Sequence, residues 1–125
     1  MLPLEGITVV TLEHAIAAPF CTRQLADLGA RVIKVERPGL GDIARWVGAS
    51  VNGLTSLYLV CNRGKRSIVV DLDQPEGAEL VRRLAADVDV VFQNFRPGVV
   101  DRLGVGYEDV RAVNPDVVYV SLSGF

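Results

Sequence analysis

The only histidine in the sequence, His14, directly follows an apolar strand-forming run, Ile7–Leu12, and sits beside Glu13. An imidazole with an ordinary pKa of about 6.5 donates or accepts a hydrogen bond at neutral pH, so this position suits a carbonyl or carboxylate. A lone histidine also serves as a hydrogen-bonded structural residue, and residue type alone leaves both readings open. Arg37 comes just after a second run, Val32–Val35, where its fork of donors suits a phosphate or carboxylate; a surface ion pair is the alternative. Asn94 and Phe95 follow a third apolar run and combine a hydrogen-bonding amide with an apolar ring, and Arg102 brings positive charge nearby. Arg63, Lys65 and Arg66 make the strongest local basic patch, read either as phosphate-facing or as a charged turn with its side chains in solvent. Asp71, Asp73, Asp87 and Asp89 read as caps or solvated carboxylates.

These residues sit in a pattern that alternates strands with helices. Ile7–Leu12 predicts a first strand, Phe20–Leu28 a helix ended by a left-handed Gly29, and Val32–Val35 a second strand. The segment Arg37–Asp42 is a turn-rich exit at a strand end, where open α/β sheets bind ligands. Residues 43–60 lack one dominant period and predict a loop followed by a short helix. Ser67–Leu72 predicts a third strand, Pro75 opens a helix that Asp73 is placed to cap, and Val88–Phe92 predicts a fourth strand. Short helices over Val99–Leu103 and Tyr107–Val113 precede a fifth strand at Val117–Leu122. The fold class is therefore α/β: a Rossmann-like, mostly parallel sheet with helices on both faces. A hydrophobic strand so close to Phe125 leads us to expect an incomplete N-terminal part of a larger domain.

Composition narrows the functional classes. With 125 residues and a formal net charge of −2, the chain has no concentrated basic stripe for nucleic acid. It has no apolar segment near the length of a membrane span and no export signal, so a cytoplasmic protein without membrane attachment is expected. Cys21 and Cys61 match no zinc or redox spacing and read as buried thiols, so no metal site is expected. The first turn lacks Gly-x-Gly-x-x-Gly, which removes the main support for dinucleotide binding. Gly39-Leu40-Gly41 lacks the Lys and Ser/Thr of a phosphate-loop ATPase.

Three patches together resemble the class III CoA-transferases, the CaiB/BaiF-like family that also holds carnitine-CoA transferases and α-methylacyl-CoA racemases. They are His14–Pro19 with Leu25–Ala30 and Val32–Glu36; Asn62–Ile68; and Asn94–Gly98. The resemblance runs over essentially all 125 residues and implies the first part of a Rossmann-like large CoA-binding domain, the rest of that domain and a small domain lying beyond. It implies no tightly bound cofactor, acyl-CoA and carboxylic-acid substrates, and a parent protein built as an interlocked homodimer. The catalytic aspartate, which becomes an acyl anhydride and then a CoA thioester, is implied beyond Phe125, leaving His14 a supporting catalytic role. The coenzyme A contacts it implies are Arg37, Val70, Leu72, Asn94, Phe95 and Arg102. Formyl-CoA transferase resembles this chain at His14 but has glutamine two residues later, where Ile16 stands here and donates no hydrogen bond, which points to a different acyl pair. The implied reaction is CoA transfer from an acyl donor to a carboxylate. A racemase-type α-proton transfer and a non-catalytic CoA-binding piece are the alternatives.

Overall fold

The computed structural model describes residues 1–124. Five strands form one parallel sheet: β1 (Thr8–Leu12), β2 (Arg31–Glu36), β5 (Arg66–Val69), β6 (Val90–Gln93) and β7 (Val118–Ser121). Their spatial order is β5-β2-β1-β6-β7, so the chain builds outward from β1 in one direction and then crosses to its other side. The helices that cover it are α1 (Ala17–Asp27), α2 (Ser56–Asn62), α3 (Pro75–Ala85), α4 (Val99–Arg102) and α5 (Tyr107–Val113).

Period-two alternation along the strands supplies both layers. Val10 and Leu12 of β1 join Val35 and Val91 in a core with Ala78, Val81 and Ala85 of α3 and Val110 of α5. Val9 and Val32 turn the other way, against Leu25 and Ala26 of α1. In α3 the buried residues recur at helical spacing, Pro75 occupies the first turn, Glu76 lies near the N-terminus and Arg82 and Arg83 near the C-terminus, as the helix dipole favours. Gly29, at φ +106°, reverses the chain after α1; a Cβ there would lie 2.7 Å from the Cβ of Leu2.

The expected α/β architecture is the observed one, with shifts at element ends. Helix α1 begins three residues before the predicted start, because Pro19 falls in the first turn, where helix amides lack partners anyway. Strand β5 stops at Val69, although the amide of Val70 still donates to the Glu36 carbonyl; Leu72 lies in the turn that follows. Residues 43–60 hold more structure than predicted. A 3₁₀ turn (Ile43–Trp46) is followed by a hairpin of β3 (Ser50–Val51) and β4 (Leu54–Thr55), then by α2, which Thr55 caps through the amide of Tyr58. Asn52 and Gly53 both have positive φ, the Asn-Gly signature of a two-residue hairpin turn.

Two local expectations are corrected. Asp73 does not cap α3: Gln74 is the N-cap without a side-chain bond, and Asp71 instead closes the preceding turn on the amide of Asp73. Lys65 does not lie in solvent, since its side chain is 2% exposed and ion-paired to Glu13. Cys61 is buried and Cys21 half-buried, both free thiols. Among the described residues no helix is long and apolar enough to cross a membrane, and no group of His, Cys, Asp or Glu is arranged to hold a metal ion.

Candidate active site

The strand order reverses between β1 and β6, and at such a point the loops leaving adjacent strands diverge and open a crevice at the carboxyl edge. A cleft of about 620 Å³ lies there, lined from the ends of β1, β2, β5 and β6. His14, Arg37, Val70, Leu72, Phe95 and Arg102 all line it. Asn94 is not among the lining residues; its side chain grips the main chain of His14, where its Oδ1 accepts from the amide at 3.0 Å and its Nδ2 donates to the carbonyl at 2.9 Å. The side chain expected to meet a ligand thus fixes the main chain of the histidine that lines the cleft. Phe95 packs on the imidazole, ring centroids 5.3 Å apart and tilted by 47°.

Charge of both signs lines the cleft: Arg37 and Arg102 share it with Asp71 and Asp73, while Glu13, Glu36 and Asp42 are ion-paired to Lys65, Arg45 and Lys34. Arg37 donates from Nε to the Gly41 carbonyl, and neither Arg37 nor Arg102 forms an ion pair among the described residues. Both side chains are exposed and available to an anion. Val70 is buried and Leu72 half-buried, forming apolar lining between them.

Beneath the cleft lies a polar layer that the sequence pattern did not single out. Glu13 accepts from Thr11 and Thr22 hydroxyls at 2.6 and 2.7 Å and from Lys65 Nζ at 2.6 Å. Lys34, fully buried in a central strand, donates to Asp42 at 2.5 Å and to Asn62 at 2.6 Å, with Glu13 at 3.8 Å. A lysine between Ile33 and Val35 in a strand predicted to be covered on both faces was the available signal, because such a charge needs buried partners. Burial pushes the Lys65 ammonium down from the ordinary lysine range, against the opposing pull of Glu13.

A second layer braces the loop after β2. Burial alone would raise the Glu36 carboxyl, but Arg45, Ser67 and the Asp42 amide donate to it and hold it at about 2. The Arg45 guanidinium lies 3.9 Å from the Tyr58 ring centroid, and burial, followed by the charge of Glu36, pushes the Tyr58 hydroxyl up.

A parallel sheet with helices on both faces and a partly apolar cleft at its switch point defines a Rossmann-like α/β fold. The model of CoA-transferase family III matches residues 4–125, and the chain belongs to that family. It is 44% identical to the succinyl-CoA:glutarate CoA-transferase of Mus musculus, over 100% of this chain and 29% of that protein. It is 46% identical to the succinyl-CoA–D-citramalate CoA-transferase of Chloroflexus aurantiacus, over 98% of this chain and 31% of that protein. The crystal structure of a CaiB/BaiF family protein from Brucella suis superposes with a TM-score of 0.92 at 46% identity, covering 99% of this chain and 34% of that one. The chain thus spans about a third of the length of the relatives it matches.

Proposed function

We propose that residues 1–125 are the N-terminal part of the large coenzyme A-binding domain of an acyl-CoA:carboxylate CoA-transferase, the rest of that domain and a small domain lying beyond them. The observation that carries this reading is the cleft, where Arg37 and Arg102, without an ion pair among the described residues, line the same space as apolar Val70, Leu72 and Phe95. Such a lining suits a ligand with phosphates at one end and an uncharged thioester arm at the other. The activities of the two curated relatives, CoA transfer between carboxylic acids, support the same class.

In this reading an aspartate beyond residue 125 attacks the acyl-CoA carbonyl, forming a mixed anhydride and releasing CoA thiolate. The thiolate attacks the aspartyl carbonyl, giving an aspartyl-CoA thioester and the free donor acid. The acceptor carboxylate then attacks that thioester, and the released thiolate takes the acceptor acyl group and restores the aspartate. His14 serves as a hydrogen-bonding partner of the reacting carbonyl or carboxylate, and Arg37 and Arg102 hold the phosphates. In this reading the full-length protein acts in the cytoplasm as an interlocked homodimer.

The test is mass spectrometry of CoA thioesters after incubating the full-length protein in deuterated water with an acyl-CoA panel, with and without carboxylic-acid acceptors. A new acceptor-CoA ester without α-deuterium is expected. Deuterium at the α carbon without an acceptor would instead identify a racemase and overturn the assignment.

A further inference from the structure

The turn that presents His14 is held in an unfavourable shape. Ala15 has φ +67°, a left-handed conformation that costs a residue with a Cβ about 1 kcal/mol. Hydrogen bonds on both flanks hold this geometry. Asn94 grips the His14 amide and carbonyl from β6. Asp42 reaches from the loop after β2 and accepts the Ala15 amide on Oδ1 at 2.8 Å.

Asp42 is itself fixed on every side. It is 1% exposed, Oδ1 also accepts the Ala44 amide, Oδ2 pairs with Lys34, and its own amide donates to Glu36. A solvated aspartate would hold a neighbouring amide only loosely, whereas one locked by a buried lysine holds it in a single position. Asp42 is thus the point where the loop bearing Arg37 is tied to the turn bearing His14. We propose that Asp42 is a positioning residue that sets the His14 imidazole in the cleft by holding Ala15 in its left-handed conformation. The kinetic arm of this proposal rests on the transferase reading above; its spectroscopic arm does not.

The experiment compares wild type, Asp42→Ala, Asp42→Asn and the double variant Asp42→Ala/Ala15→Gly in the full-length protein. The His14 ring resonances are identified as those lost in His14→Gln. Asp42→Ala is expected to move them away from the ring-current shift imposed by Phe95 and to lower kcat about tenfold or more. Asp42→Asn keeps an acceptor for the Ala15 amide and is expected to keep the His14 shift. Glycine at 15 adopts positive φ without penalty and is expected to recover about fivefold in kcat, which a role confined to pairing Lys34 would not produce. Amide exchange in the wild type supplies a measurement independent of how the variants fold: the Ala15 amide is expected to exchange slowly. Fast exchange at Ala15, a folded Asp42→Ala with an unmoved His14 signal, or an absence of rescue would each overturn the proposal. A wild type without transfer activity would sink the functional reading instead and leave the two spectroscopic results to decide on Asp42.

Discussion

Replacing Glu36 by glutamine keeps the shape of the side chain and removes the charge that Arg45, Ser67 and the Asp42 amide converge on. The carboxyl lies at about 2 against an ordinary value of 4.5. At roughly 1.4 kcal/mol per pH unit, that difference corresponds to about 3 kcal/mol of folding stability at neutral pH. Because the folded-state value lies below the unfolded one, the contribution is complete above pH 4.5 and fades as pH falls toward 2, where wild type carries a neutral carboxyl much like glutamine. Urea unfolding followed by far-ultraviolet circular dichroism, run at several pH values, is expected to show the variant about 3 kcal/mol less stable at pH 7, with the gap closing toward pH 2. Equal stability at pH 7 would refute the reasoning, as would a gap that stays constant down to pH 2.

Gly77→Ala reverses the usual helix rule. Alanine ordinarily gains about 1 kcal/mol inside a helix. Here its Cβ would fall 1.9 Å from the Asp71 carbonyl oxygen, so a loss of about 2 kcal/mol is expected, read as a lower melting temperature. Lys65→Met leaves Glu13 buried without its closest cation and is expected to cost about 3 kcal/mol by chemical denaturation, whereas Arg63→Ala, on an exposed pair with Asp27, leaves the midpoint unchanged. Arg102→Ala is expected to weaken coenzyme A binding about tenfold or more at low salt by calorimetry, and less at high salt; unchanged affinity removes Arg102 from the phosphate site.

The sheet was legible because apolar β-branched runs separated by helical spacing leave few arrangements open, and each strand lies within three residues of its expected position at either end. The β3–β4 hairpin escaped because its strands are two residues each, too short for alternation to register, although Asn52-Gly53 carried the turn signal. Within the cleft, His14 and Phe95 were legible from their place after apolar strands. The resemblance added Val70 and Leu72, which look like ordinary core residues on their own. Asp42 and Asn62 were not legible, since their importance comes from Lys34, a partner that only the folded chain brings to them. Lys65 reads as solvated because charge in a glycine turn usually is; the fold instead brings its ammonium to Glu13 and to the Pro19 carbonyl in the first turn of α1.

The two hydrogen bonds between His14 and Asn94 join positions eighty residues apart in the chain. During synthesis β1 emerges first and finds β2 within a few dozen residues, yet its other edge waits unpaired until β6 has been made. A nascent chain that has reached only β5 therefore carries an open strand edge and lacks the Phe95–Leu103 side of the cleft. β6 covers that edge, and Asn94 directly after it supplies the two bonds to the His14 turn. The side of the cleft that carries Phe95, Val99 and Arg102 is therefore the last of its described lining to be made, after the edge of β1 has been covered.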